Sequence, residues 1–310
     1  MNDEGSLPAS VDDRVFPFLL PTAGVRGRLV RLGPAAEEIL TRHDYEPAVA
    51  QLLAELMVLA AGLGSFLKFE GLFTLQTRSE GAVRLMVADI TSEGGLRAYA
   101  EADRAAVEAV TRQEPRPSLP RLTGPGYLAF TVDPKEQENR YQGIVALEGE
   151  RLADCFIHYF RQSEQLPSAI HVAARKVEGR WRAAGLILQR LPVSEHAEEG
   201  SRVAEAREEG WRRATALMST LSDDELLDPG LPASSLVWRL FNEEEIETHE
   251  ERPVVAACRC SREKVERVLV TLTDEELSDL KTEGRVEVTC QFCSRRYDFD
   301  DADLAALRQG

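Results

Sequence analysis

The chain has 310 residues, 43% hydrophobic and 29% charged, with a formal net charge of −16. That length accommodates two domains and a sizeable core. The acidic balance is unsuited to phosphate backbones, whose binders cluster Lys and Arg, and to anionic membrane surfaces, so neither nucleic acid nor membrane is an expected partner.

The N-terminus, Met1-Asn-Asp-Glu-Gly-Ser6, is acidic and lacks the basic-then-apolar order of a signal peptide. No stretch reads as approaching a membrane span. The expected compartment is the cytoplasm, where thiols are kept reduced and paired cysteines point to metal or redox chemistry.

Residues 1–190 read as one α+β core domain of sheet and helix. Val25–Leu32 alternates apolar and polar residues as a half-buried strand does, and Gly33-Pro34 stops it. Apolar residues from Ile39 to Leu59 suit helical packing over about 34–64. Phe69–Gln76 and Ala82–Asp89 read as strands around a turn near 79–81, and Gly126–Val132 with Tyr141–Leu147 as a further antiparallel pair. Residues 149–163 form an amphipathic helix. Ser168–Val177 and Trp181–Leu191 are two more strands, turning at Glu178-Gly179.

Composition changes after Pro192. Residues 191–247 read as a helical linker, with helices at about 197–220, 223–228 and 233–242 and a capping box at Ser222-Asp-Asp-Glu225. The apolar faces of these helices are thin, so they depend on packing against something else and have low local stability. Residues 248–310 read as a small module. Ser261 caps one helix, Thr273-Asp-Glu-Glu276 boxes a second, Gly284 ends it, and Arg285–Thr289 is a strand entering Cys290.

Four of the five cysteines lie in this module, as Cys258-Arg-Cys260 and Cys290-Gln-Phe-Cys293. Two local thiol pairs brought together by a fold make a tetrahedral four-thiolate site for one Zn2+. The two-residue spacing is the usual knuckle; the one-residue spacing is tighter. Arg259, Arg262, Lys264, Arg295 and Arg296 crowd the ligands and are expected to offset their charge. Structural zinc contributes about 10–16 kcal/mol apparent in finger-like peptides, so metal loss is expected to unfold a module this small. Zinc-bound thiolates are also nucleophilic towards oxidants, and a sulfenic acid can be resolved by a neighbour one or two residues away. Neighbour pairing gives the bonds Cys258–Cys260 and Cys290–Cys293. Two other readings stay open: a purely structural zinc ribbon in an interaction protein, and a thiol-disulfide oxidoreductase centred on Cys290 and Cys293.

Cys155, in an apolar helical context, reads as a core residue. The histidines at 43, 158, 171, 196 and 249 show no paired metal spacing, and Gly62 and Gly64 lack a phosphate-loop context. No nucleotide-loop, hydrolase-elbow or metalloprotease motif is present, and the chain is not expected to be an enzyme.

The C-x-C and C-x-x-C tail resembles the heat shock protein 33 family. Tyr159-Phe-Arg-Gln-Ser-Glu-Gln-Leu-Pro167, Leu67–Gly71 with Leu75-Gln76, Tyr141-Gln-Gly143, and Val237–Phe241 followed by Glu243–Glu245 resemble it too, over residues 13–308. The resemblance implies a redox-regulated, ATP-independent holdase of the stress response. Its reduced form binds zinc through Cys258, Cys260, Cys290 and Cys293 and is inactive. Oxidation forms the two neighbouring disulfides, expels zinc, unfolds the module and linker, and exposes a surface for unfolded client proteins. The resemblance further implies a homodimer when activated and transfer of clients to ATP-dependent foldases.

Overall fold

The computed structural model describes residues 12–67, 70–135, 140–192, 202–282 and 284–307. The chain forms two compact units, Met1–Ala256 and Ala257–Gly310. The first runs β1 (Arg14–Leu20), β2 (Val25–Leu32), α1 (Pro34–Leu40), α2 (Pro47–Gly64), β3 (Gly71–Ser79), β4 (Val83–Thr91), β5 (Gly95–Ala102) and α3 (Arg104–Gln113). It continues with α4 (Leu119–Thr123), β6 (Gly126–Pro134), β7 (Tyr141–Ala146), α5 (Leu152–Gln162), β8 (Ser168–Val177) and β9 (Arg180–Arg190). Three helices follow, α6 (Arg202–Met218), α7 (Asp223–Leu227) and α8 (Ala233–Phe241), then the two-residue strands β10 (Glu247–Thr248), β11 (Arg252–Pro253) and β12 (Val255–Ala256). The fold class is the expected α+β.

Two sheets organise this unit. One has the order β10-β1-β2-β9-β8 with β11 also on β1; the other is β12-β5-β4-β3-β6-β7. Helix α2 packs on strands of both. The run expected as one helix over 34–64 divides at residues 41–46, because Pro47 suits a helix's first turn and lacks the N–H needed inside one. Contrary to the expectation that no stretch approaches a membrane span, α2 is 18 residues long with mean hydropathy 1.6. It is 78% buried inside the protein, so its apolar surface is consumed by the core. Leu53, Leu56, Met57 and Leu59 join Val30, Leu75, Met86 and Ile187 in the main cluster.

The opposite face of the first sheet carries a second core. Phe18, Leu20, Val25, Leu29, Leu186 and Leu188 pack against Ala214 and Met218 of α6, Leu226 and Leu227 of α7, and Leu236, Val237 and Phe241 of α8. Phe18 lies flat over Gly27 on the neighbouring strand, where a Cβ would come within 2.0 Å of the ring. That approach lets Phe18 meet Phe241 at 5.7 Å between ring centres. The three linker helices were expected at these places; the expected start of the first, at 197, lies outside the described residues, as does the expected strand start at Phe69. Ser222 caps α7 as anticipated, its Oγ accepting from Glu225 N while Glu225 accepts from Ser222 N. The β8–β9 turn has positive φ at both Glu178 and Gly179, the hairpin geometry that matches strand twist.

The second unit comprises α9 (Arg262–Leu269), α10 (Asp274–Asp279), β13 (Lys281–Thr282), β14 (Arg285–Thr289), β15 (Arg296–Phe299) and α11 (Asp301–Leu307). Ser261 caps α9 and Thr273 with Glu276 boxes α10, both as expected. Gly284, expected to end α10, instead follows β13 at φ 79 in the turn to β14, and the helix stops at Asp279. Residues 248–256, read as the first part of the cysteine module, fall in the first unit, where with Glu247 they supply β10, β11 and β12 and pair with β1 and β5.

Candidate metal centre

Each thiol pair is placed by a local device. Cys258 and Cys260 directly precede α9, whose first turn is held by Ser261 Oγ accepting from Lys264 N at 3.3 Å. Cys290 and Cys293 occupy the tight β14–β15 connection, closed by Cys290 N–H to Arg295 O at 2.9 Å and Ser294 N–H to Cys290 O at 2.8 Å. Ser294 takes φ 56, the left-handed conformation that reverses the chain after the second cysteine. A small apolar cluster of Leu269, Leu277, Val286, Tyr297, Phe299 and Leu304 lies behind, with Cys260 and Cys290 half-buried against it.

The four sulfurs all lie within 4.8 Å of one another. Two of the contacts run between the pairs: Cys258 to Cys290 at 3.7 Å and Cys260 to Cys293 at 3.3 Å. A tetrahedral ion with metal–sulfur bonds of about 2.3 Å needs sulfurs about 3.8 Å apart, so the donor set fits such an ion. The electrostatics agree with a site that must shed protons to bind. Burial opposes ionisation of Cys258, but the backbone N–H of Cys260 and hydrogen bonds from the other three sulfurs outweigh it and bring the thiol down to about 7. Burial raises Cys290, and it pushes Cys293 up to about 12, with the other sulfurs adding to the rise. Cys258 thus takes charge before Cys290 and Cys293, whose protons a cation would replace.

Of the five cations expected around the ligands, Arg295 meets that expectation, while Arg262, Lys264 and Arg296 have other partners. Arg295 interacts electrostatically with Cys260 and Cys293. Arg262 is drawn to Glu266 and Asp303 at 3.1 and 3.0 Å and stacks on Phe299 at 4.2 Å. Lys264 donates to the Arg259 carbonyl, and Arg296 lies 3.6 Å from Glu287. Sequence reasoning missed Tyr297, whose hydroxyl donates to Cys260 Sγ at 3.1 Å. Its signal was the alternation Arg296-Tyr-Asp-Phe299, with Tyr297 and Phe299 turned inward.

Cys155 sits apart in the main core of the first unit, its Sγ donating to Glu148 O at 3.4 Å and its thiol pushed up to about 11 by burial. His249 belongs to the first unit, where its N–H bonds Pro17 O. His171 pairs with Asp223 at 2.7 Å, and His43 packs on Tyr45 and Tyr99. His196 lies outside the described residues. Tyr159 and Glu164 of the Tyr159–Pro167 motif meet Tyr141 of the Tyr141–Gly143 motif, which donates to Glu164 Oε1 at 2.8 Å.

A family model described as Hsp33 protein matches residues 13–300. The chain is 39% identical over 295 residues to the 33 kDa chaperonin of Caulobacter vibrioides, covering 94% of this chain and 95% of that one. It is 41% identical over 297 residues to the 33 kDa chaperonin of Pseudomonas fluorescens, covering 94% and 92%. The chain belongs to the Hsp33 family. The family's curated relatives carry the name of a chaperone, not of an enzyme. The fold agrees with the crystal structure of the 33 kDa chaperonin (heat shock protein 33 homologue) of Thermotoga maritima, with a TM-score of 0.79, 24% identity, and coverage of 96% of this chain and 98% of that one.

Proposed function

We propose that the chain is an ATP-independent holdase chaperone switched on by oxidation at Cys258, Cys260, Cys290 and Cys293, in three functional parts: a core over 1–190, a helical linker over 191–247 and a redox module over 248–310. The observation that carries this reading is four thiols gathered within 4.8 Å in a unit with a small apolar cluster of its own. Zinc is the ion this sulfur set suits, and when bound it supplies the cross-links and holds the ligands as thiolates.

A peroxide oxidises one cysteine sulfur to the sulfenic acid, releasing water or hydroxide. A second sulfur displaces the sulfenic oxygen, forming the S–S bond and releasing a second water. Two such reactions consume two peroxides and all four thiols. Every sulfur is close enough to every other to react at first, but the contacts between pairs depend on the folded unit. Neighbours one and two residues apart stay together when the fold loosens, which favours Cys258–Cys260 and Cys290–Cys293. No thiolate then remains to hold the ion, and the module loses its cross-link.

The cysteine-bearing unit, from Ala257 on, continues directly from β12, and β10, β11 and β12 are only two residues each. Disorder beginning at residue 257 would fray them, and the α6–α8 layer ends just upstream. Release of that layer would bare Phe18, Leu20, Val25, Leu29, Leu186 and Leu188, an apolar sheet face able to hold an unfolded client. The acidic surface keeps such a form soluble, and the reading includes a cytoplasmic location, a homodimer on activation and transfer of clients to ATP-dependent foldases.

Light scattering of a denatured client diluted into buffer tests the proposal. The oxidised chain should suppress aggregation and the reduced, metal-loaded chain should not. Equal suppression by both forms would remove the switch, and non-reduced peptide mapping that found bonds other than the two neighbours would overturn the pairing.

A further inference from the structure

Three guanidiniums of the first unit share one neighbourhood and pair with no carboxylate among the described residues. Arg26 and Arg28 alternate on one face of β2, and both lie over the Phe66 ring, 4.5 and 4.3 Å from its centre. Arg28 Nε donates to Ser65 Oγ at 3.1 Å, while Arg252 of β11 donates to the Ser65 carbonyl at 3.3 Å. Arg26 has a neutral acceptor, Gln189 Oε1, at 2.7 Å. Arg28 Nη1 also donates to the Gly27 carbonyl at 2.8 Å; each guanidinium carries five N–H donors, so most on Arg252 and the remainder on Arg28 are unspent. In a chain of net charge −16, acids were available to neutralise them. Burial lowers the Arg28 guanidinium to about 10, and repulsion from Arg26 and Arg252 acts in the same direction.

Arg28 and Arg252 line a cavity of about 540 Å3, together with Thr91 and Ser92. Thr91 Oγ1 accepts from Gly95 N and Ser92 Oγ from Gly71 N, and both side chains hydrogen-bond the Glu93 carboxylate, so the donors left to the cavity are those of the arginines. The backbone fits closely here: a Cβ on Gly94, which has φ +91, would lie 2.0 Å from the Pro253 carbonyl oxygen. Three acids also border the cavity. Glu93 is held by Lys135 at 2.7 Å and Glu251 by Arg14 at 2.8 Å, which leaves Glu250. Its charge disfavours a long polyanion and leaves room for a compact one at the arginine end.

We propose that this cavity binds a compact oxyanion of the phosphoryl class between Arg28 and Arg252. Such a ligand relieves the repulsion between the two cations and ties β11 to β2 and to the end of α2. Anything that binds only the form with β11 in place stabilises that form. The site stands independently of the cysteine chemistry.

Calorimetric titration of the reduced full chain with inorganic phosphate, at constant ionic strength in chloride, tests it. Saturable one-to-one binding is expected, weakened at least tenfold in Arg28→Gln and in Arg252→Gln and unchanged in Arg180→Gln, which lies outside the cavity. A parallel titration with glycerol phosphate separates a free ion from a phosphate ester; binding of either that is lost in both cavity variants supports the site. Absence of saturable binding for both ligands, or equal affinity in wild type and the cavity variants, overturns it. Because Arg252 is exposed, its variant keeps the test decisive if Arg28→Gln fails to fold.

Discussion

The hydroxyl of Tyr297, 3.1 Å from Cys260 Sγ, is the one phenol hydrogen bond described at the sulfur cluster. A donor to a ligating sulfur fixes the ligand's orientation and spreads its charge, and loss of such partners commonly costs 10–100-fold in metal affinity. Tyr297→Phe deletes the donor and leaves the ring in its cluster beside Phe299 and Leu304. Metal affinity measured against a competing chromophoric chelator should fall about tenfold, with the circular dichroism spectrum unchanged. An unaltered affinity would reduce Tyr297 to a packing residue. At this scale the sequence exposes the ligands and hides their support. Two cysteine pairs are visible as spacing, whereas Tyr297 and the Arg28–Arg252 convergence depend on which residues a fold brings together across long stretches of chain.

Helices α6, α7 and α8 cover the outer face of the first sheet through a layer in which Phe241 is fully buried against Phe18. Removing a buried Phe side chain costs about 3–5 kcal/mol through lost burial and the cavity left behind. Here that cost falls on a layer otherwise held by Met218, Leu226, Leu227, Leu236 and Val237 and by Arg31 donating to the Glu225 and Asp228 carbonyls. Phe241→Ala should therefore raise protease cleavage within 202–246 and give measurable suppression of client aggregation without oxidant, while the bound metal stays at the wild-type level. A variant as resistant and as inactive as wild type would show that this helical layer is not what restrains activity. These helices were legible because Ser222, Glu225 and the break at Pro229-Gly230 punctuate them, β14 because its burial alternates, and β2 because its first half, Val25–Arg28, does so. Strand β1 was not read at all. Its Arg-Val-Phe-Pro-Phe-Leu-Leu run is buried along most of its length and interrupted by Pro17, so it shows neither alternation nor a clean β signature. Strand β5 and helices α3 and α4 were also unread, in a stretch rich in small and charged residues whose structure comes from sheet pairing with β4 and packing on α2.

The molecule divides its stability unevenly. The first unit closes two extensive apolar clusters around a pair of six-stranded sheets, while the second has a small cluster, a three-stranded sheet and short helices. A unit of that size rarely sustains itself on apolar burial alone and needs a cross-link. A metal ion held by the sulfur quartet would provide one, joining the start of α9 to the β14–β15 turn across residues 261–289. Stripping the metal from the reduced chain should then unfold the second unit alone. Hydrogen exchange followed by mass spectrometry should show α9, β14 and β15 losing protection once a chelator has removed the ion, while β3, β4 and β9 exchange as slowly as before. Readdition of zinc should restore the protection, since reduced sulfurs remain competent ligands. If β14 and β15 stayed protected after the metal was shown to be gone, the apolar cluster would suffice to hold the unit, and disulfide formation would have no fold to release.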